Sequence, residues 1–369
     1  MNTSEVQYYI ALGQIPGIGR VLAKHLISYC GSAEQVFKEK KGKLLKIPGI
    51  GEKVAERILK SNFLAEAEQE LVRAEKNGVT ILSYHHQDYP ERLRHVIDAP
   101  LILYAKGNIH LNAVKVISIV GTRKATAYGL DLTNQLVEQL AAYSDLLVVS
   151  GLAYGIDICA HRKCVQLGIP TIGVLANGLD TIYPKTHAAT AQKMQLHGGL
   201  ITENRLGTLP DAPKFPERNR IIAGMSDAVI VVEAARKGGA LITAEIANSF
   251  NRDVFAYPGD IHKTTSEGCN NLIKQHKAHL MTSAKDLAYI MGWDVSEKST
   301  KPASIQLALD DVDEQKVVNI LKEGELQIDQ LSYKSQIPIG TLASILLNLE
   351  FQGFVKSMPG KVYGLAIST

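Results

Sequence analysis

A chain of 369 residues exceeds what one hydrophobic core serves, so two or three domains are expected. With 46% hydrophobic and 21% charged residues, and no apolar run near the roughly 18 residues of a membrane span, the composition excludes a membrane-crossing helix and fits an ordinary soluble globular protein. The net charge of +3 neither demands nor forbids nucleic acid, but its distribution discriminates: residues 1–80 hold 12 Lys/Arg against 9 Asp/Glu and residues 301–369 hold 6 against 8, so the tail is the poorest candidate for gripping phosphates. The start, MNTSEVQYY, lacks the basic end and apolar core of a signal peptide. Cys30, Cys159, Cys164 and Cys269 are scattered without a CxxC pair and read as reduced thiols of a cytoplasmic protein, with no structural metal expected.

Residues 1–76 read as helical throughout. The pentapeptide IPGIG occurs at Ile15–Gly19 and again at Ile47–Gly51, and each copy is followed by apolar residues at helical spacing: Val21, Leu22 and Leu26, then Val54, Ile58 and Leu59. The repeat makes the two halves copies of one helix–turn–helix unit. Residues 77–115 read as a connector with strand-like runs at Val79–Leu82 and Leu101–Ala105, broken by Pro90 and Pro100. From 114 to about 290 short apolar runs (Val114–Val120, Leu146–Val149, Thr171–Leu175, Leu200–Thr202, Ala228–Val232, Asp253–Ala256) alternate with helical segments (Gly129–Ala142, Asp157–Leu167, His187–Leu196, Thr243–Phe250). That alternation predicts a Rossmann-like, doubly wound parallel sheet with helices on both faces. A polar, Pro-containing stretch at 294–312 reads as a linker. Helices at Asp313–Lys322, Ile328–Tyr333 and Ile339–Glu350, then a strand pair turning at Pro359-Gly360, predict a winged helix. The expected domains are therefore 1–76, 77–293 and 313–369.

The repeated turn has a chemical reading. Gly17 and Gly19, and again Gly49 and Gly51, let the backbone turn with positive φ and expose successive N–H groups at the start of a helix, where a phosphate can be held without reading bases. These residues resemble the tandem helix-hairpin-helix motif. Lys53 and Arg57 after the second turn, and Arg20 and Lys24 after the first, stand where they add charge. The competing reading is that the turns only close two hairpins into a small core.

In an open parallel sheet, ligands bind at the carboxyl ends of the strands. Read in order, those ends carry Gly121-Thr122-Arg123, Gly151 with Gly155, Gly178 with Tyr183 and Lys185, then Arg218-Asn219-Arg220 ahead of the fifth run and Arg236-Lys237-Gly238-Gly239 after it. Glycines that expose backbone alternate with cations that can converge on one rim, and Tyr183 offers a stacking face for a base. A dehydrogenase is excluded because no GxGxxG follows the first run, and a P-loop enzyme because GxxxxGK[ST] is absent. His161, His187, His197 and His262 lack convergent metal spacing and read as core or surface residues.

Taken together, SIVGTRKATAYG, VVSGLAYGIDICAHRKCVQLGIPTIGVLANGLDTIYP, ITENRLG, FPERNRIIAGMSDAVIVVEAARKGGALITAEIA and VFAYPGD…SEGCNNLI resemble the DNA-processing protein A family, known as DprA or Smf. The resemblance spans about residues 80–290 and matches at least five loops in order. It implies a cytoplasmic bacterial protein, not an enzyme and without a cofactor, that binds single-stranded DNA entering the cell, dimerises through its Rossmann-like domain and loads the RecA recombinase during natural transformation. It further implies that Gly121, Thr122 and Arg123 take backbone phosphate, that Gly151 and Gly155 let the strand approach the sheet, that Gly178, Tyr183 and Lys185 line the pocket, and that Arg218, Asn219 and Arg220 brace or contact the DNA. Where the family often carries Ser-Gly-Ser, this chain has Gly238-Gly239-Ala240, so phosphate contact beside Lys237 falls to backbone N–H groups. Asp157 is expected to cap its helix and Glu217 to hold an arginine. The third helix of the winged module, IGTLASILLNLEFQ, contains no Lys or Arg, so this module reads as a protein-contact surface or a modulator of the DNA groove. An enzymatic alternative is a phosphoribohydrolase of the lysine-decarboxylase-like group, whose PGGxGTxxE pattern is partly matched by Gly238-Gly239 and Glu245, with the spacing off by one and the third glycine missing.

Overall fold

A computed structural model of the chain describes residues 3–60, 62–293, 311–322, 324–351, 354–358 and 361–365. The chain forms two compact units, Met1–Lys298 and Ser299–Thr369. The linker expected over 294–312 lies outside the described residues as far as 310, and so does the turn expected at Pro359-Gly360.

The first unit begins with six helices: α1 (Thr3–Gln14), α2 (Arg20–Cys30), α3 (Ala33–Lys38), α4 (Lys41–Leu44), α5 (Glu52–Lys60) and α6 (Phe63–Lys76). The sequence repeat is also a structural one. Gly17 and Gly49 turn the chain at φ +93° and +88°, a region that side chains strain to occupy. Each turn packs on the other copy's helix: a side chain at Gly17 would meet Val54 and Arg57, and one at Gly49 would meet Leu22. Arg57 Nη1 also donates to the Pro16 carbonyl at 2.7 Å. Leu12, Ile15, Leu26, Leu44 and Ile58 fill a core that continues into Tyr104, Leu175 and Leu200 of the following sheet.

The remainder of this unit runs β1 (Thr80–Ser83), α7 (Glu91–Arg94), β2 (Ile102–Gly107), β3 (Lys115–Val120), α8 (Ala127–Leu140), β4 (Leu146–Ser150), α9 (Ile156–Leu167), β5 (Thr171–Val174), α10 (Ala188–Met194), β6 (Gly199–Thr202), α11 (Lys214–Met225), β7 (Ala228–Val231), α12 (Gly239–Ser249), β8 (Asp253–Ala256), α13 (Glu267–Lys274), β9 (His279–Leu280) and α14 (Ala284–Met291). The strands form one sheet in the order β1-β2-β6-β5-β4-β3-β7-β8-β9. From β6 to β9 every pairing is parallel. Successive residues of β3 face opposite layers, as the strand period requires. Ile117 and Ile119 pack with Leu136, Ile156 and Leu287 on one side. Val116 and Val120 pack with Ile221, Ile222 and Ala244 on the other. The doubly wound sheet follows the expectation, with two corrections. Residues 77–115 are more than a connector, since β1 and β2 extend the sheet antiparallel beside β6, which makes it mixed. The two-residue β9 had no apolar run to announce it.

A third correction bears on the site. The FPERNR segment, expected as a loop before the fifth parallel strand, begins α11. Pro213 and Pro216 are compatible with this helix because both fall at its N-terminal turn, where the missing N–H would have had no intrahelical partner.

The second unit is α15 (Val312–Leu321), β10 (Leu326–Gln327), α16 (Ile328–Ser335), α17 (Ile339–Phe351), β11 (Val355–Met358) and β12 (Val362–Leu365), with strands in the order β10-β12-β11. Leu342, Ile345, Leu346 and Leu349 of α17 are buried with Val317, Leu321 and Leu331, the core stripe of a winged helix. Among the described residues no helix is long and apolar enough to cross a membrane.

Candidate nucleic-acid interface

Strand order reverses at β3, with β4 to β6 on one side and β7 to β9 on the other, so a crevice opens at the carboxyl ends of β3 and β7. A cleft of about 1630 Å³ occupies this place. Gly121, Thr122, Arg123, Tyr183, Lys185, Arg218, Asn219, Lys237, Gly238 and Gly239 line it. Residues separated by more than 100 positions thus meet because the topology delivers the carboxyl ends of the parallel strands to one edge.

Arg123, Lys185 and Lys237 are exposed cations on this rim. Among the described residues none of them pairs with a carboxylate, which leaves their charge for a ligand. Gly238 caps α12, so the positive end of an 11-residue helix dipole opens at the same wall. Aromatic faces complete the lining. Tyr183, joined to Pro184 by a cis peptide, is 46% exposed and lies 5.8 Å from the Phe215 ring. The Arg123 guanidinium stands 5.2 Å above Phe215. Tyr154, also half-exposed, meets His187 edge-on at 4.9 Å. Phe215 and Tyr154 were missed as stacking candidates. Both stand in segments already singled out, Tyr154 beside Gly155 and Phe215 just ahead of Arg218, so an aromatic within a cationic loop was the available signal.

The other expected residues sit behind the lining. Gly155 caps α9 at φ +77°, and a side chain there would run into the Thr122 carbonyl and Arg123, so bareness at this position lets α9 abut the first loop. Gly151 leaves room for the Arg218 guanidinium, and Gly178 is wedged between Asp180 and the Arg205 carbonyl. The Thr122 amide, expected for phosphate, donates to the Glu233 carbonyl at 2.7 Å.

Arg218 is 5% exposed and braces the cleft floor, with Nη1 donating to the carbonyls of Gly151, at 2.6 Å, and Val174. Burial pulls its guanidinium down to about 10, partly opposed by Asp157. Asp157 does not cap α9, since that position belongs to Gly155. Its Oδ2 instead accepts from the Gly151 and Ala153 amides at 3.1 and 3.4 Å. Burial raises its carboxyl pKa, while Arg218 and these amides favour the charged form. Arg220 faces away from the cleft: it is 5% exposed, bonded to Glu203 and to the Asp98 carbonyl. Arg236 is exposed but does not line the cleft. Two of the histidines are core groups, His161 bonded to Thr171 and His187 to the Leu152 carbonyl, and burial pulls His161 down to about 3, so it is neutral.

The helical hairpins divide. Gly17, Gly19, Gly49, Gly51 and Lys53 are exposed. Arg20 and Lys24, however, point into the sheet region, Arg20 to Glu203 and Lys24 to the Val96 and Ile97 carbonyls. Glu217 holds an arginine as expected, and that arginine is Arg20, at 3.5 Å.

Comparison with known proteins covers all three regions. The family model described as DNA recombination-mediator protein A matches residues 80–292. The DprA winged helix domain matches 299–361, and the SAM-like helix-hairpin-helix tandem matches 9–61. Protein Smf of Synechocystis sp. is 31% identical, over 98% of this chain and 99% of its own length. DNA processing protein DprA of Streptococcus pneumoniae is 40% identical over 54% of this chain and 70% of its own. The crystal structure of the pneumococcal protein superposes with a TM-score of 0.66 at 32% identity, covering 78% of this chain and 98% of that one. DNA processing protein A of Helicobacter pylori, solved for its single-stranded DNA binding mode, superposes with a TM-score of 0.52 at 26% identity over 58% of this chain and 95% of that one. With one model spanning most of the sheet region and a relative aligned from end to end, the chain belongs to the DNA recombination-mediator protein A family.

Proposed function

We propose that the cleft binds single-stranded DNA without cutting it, and that the protein protects incoming strands in the cytoplasm and, as a homodimer, loads the RecA recombinase onto them during natural transformation. The observation that carries the binding reading is the coexistence of unpaired cations with the Tyr183–Phe215 aromatic pair in one open cleft. Cations track a phosphate backbone, and aromatic faces stack on bases that a duplex keeps hidden. The family description as a recombination mediator supports the handover to a recombinase. The homodimer rests on the family resemblance, and sedimentation should give twice the chain mass.

The non-catalytic reading is supported by the carboxylates. Asp157 and Asp180 are the acids in the lining, and both are engaged, Asp157 by two amides and Asp180 by the Gly207 amide at 2.8 Å. Glu245, where the phosphoribohydrolase pattern needs its acid, lies outside the lining and pairs with Lys277 at 2.7 Å. Release of free base from a nucleoside monophosphate would restore the enzymatic reading. The second helical hairpin, with Gly49, Gly51 and Lys53 outward, is the proposed auxiliary phosphate contact.

The test is equilibrium binding of an oligothymidylate against a duplex of equal length. The single strand should bind more tightly, without sequence preference, and weaken steeply with salt. Tyr183→Ala should cost about 1–3 kcal/mol of this affinity and leave the salt dependence almost unchanged, because it removes a stacked base and no phosphate contact.

A further inference from the structure

Aligned on IPGIG, the two hairpin copies carry opposite charges at matched positions: Arg20 corresponds to Glu52 and Lys24 to Glu56, while Lys53 and Arg57 stand where the first copy has Val21 and His25. The first copy has turned its cations inward. Arg20 Nε and Nη2 donate to both oxygens of Glu203, each at 2.9 Å, and the same guanidinium lies 3.5 Å from Glu217. Glu203 is shared with Arg220, whose Nη1 also holds the Asp98 carbonyl at 2.6 Å. Glu217 and Arg220 belong to α11, and the opposite face of that helix presents Phe215, Arg218 and Asn219 to the cleft. One helix is therefore gripped by the first hairpin on one side and forms the DNA wall on the other.

We infer that Arg20 is a positioning residue for the strand-binding cleft: through Glu203 and Glu217 it fixes the placement of α11 that keeps Phe215 beneath Arg123 and beside Tyr183. The inference rests on the single-strand reading of the cleft. A bidentate guanidinium–carboxylate pair constrains orientation as well as distance, which a point charge does not. Glu203 is largely buried, so reversing Arg20 sets a third carboxylate against Glu203 and Glu217 and pushes α11 away from its partner. Arg20 does not line the cleft, so its loss removes no phosphate contact.

The experiment is fluorescence-anisotropy titration of an oligothymidylate with the full chain as parent, Arg20→Glu, Arg20→Gln, Arg20→Lys and Lys185→Glu, across a salt series. Arg20→Glu should weaken binding about tenfold, the size of an ordinary coupling free energy. Its slope of log affinity against log salt should match the parent. Lys185→Glu should make that slope shallower by about 0.7, the signature of a lost phosphate contact on a single strand. Arg20→Lys should recover only part of the affinity, because its point charge does not fix orientation, and Arg20→Gln should fall between the lysine and glutamate variants, which keeps the test decisive if the reversal impairs folding. Parental affinity in Arg20→Glu or Arg20→Gln would overturn the inference, and so would a shallower slope, which would make Arg20 a direct contact. A parent that ignores oligothymidylate would instead overturn the reading of the cleft, and the inference with it.

Discussion

Arg123→Glu is expected to weaken oligothymidylate binding by about 3 kcal/mol, roughly a hundredfold in Kd, while the folded state keeps its stability. Three effects add. The exposed guanidinium is an unpaired cation at the switch point of the sheet, so its reversal replaces an attraction for phosphate by a repulsion. It also stands 5.2 Å over Phe215, so the variant loses the planar group that shares a stacking site with the aromatic pair. Finally the salt slope should become shallower by about 0.7. Because Arg123 is exposed and anchors nothing in the core, thermal unfolding should stay near the parental value. The paired measurement is anisotropy for binding and calorimetry for stability. Parental binding would remove Arg123 from the site, and a collapsed Tm would turn the residue into a structural one.

Arg218→Met is expected to do the reverse, costing about 3–5 kcal/mol of stability before any effect on DNA is considered. The guanidinium is 5% exposed, beside Asp157, and its departure strands that carboxylate in the interior along with the carbonyls of Gly151 and Val174. Asp157→Asn added to Arg218→Met should recover part of the loss, since a neutral amide needs no counter-charge. The variant should also show a particular pH dependence. Burial already raises the folded-state pKa of Asp157, and removing Arg218 raises it further. Between the unfolded and folded values the native chain then holds the extra proton, so stability falls as pH rises. The penalty should be largest at neutral pH and shrink on acidification towards about pH 4, the ordinary aspartate value. Chemical denaturation across that range checks both statements, and a penalty independent of pH would show that Asp157 is not the stranded group.

Much of this architecture is legible from the chain alone, for identifiable reasons. The parallel strands announce themselves as β-branched runs such as KVISIV and LLVVS, because a strand buried on both faces carries almost no polar positions. The hairpin turns announce themselves because few residues other than glycine tolerate the φ of Gly17 and Gly49. What stayed hidden depends on which way a side chain points. The sequence places Arg218 and Arg220 two positions apart in one cationic cluster, yet such a pair on α11 lies about 200° apart, so Arg218 turns to the cleft floor and Arg220 to Glu203 and Asp98. Arg20 and Lys24 looked like phosphate ligands, and only the fold could reveal that Glu203, more than 180 residues away, takes up the charge of Arg20. The Thr122 amide was likewise consumed by a distant partner, the Glu233 carbonyl.

The most direct test of the account is photocrosslinking of an oligothymidylate carrying 5-iodouracil, with the modified peptides mapped by mass spectrometry. Stacked aromatic side chains are the efficient acceptors of that chemistry, so crosslinks are expected at Tyr183, Phe215 and Tyr154, and Arg123→Glu should suppress them. Crosslinks confined to the helical hairpins or the winged helix, with the cleft peptides unmodified, would contradict it.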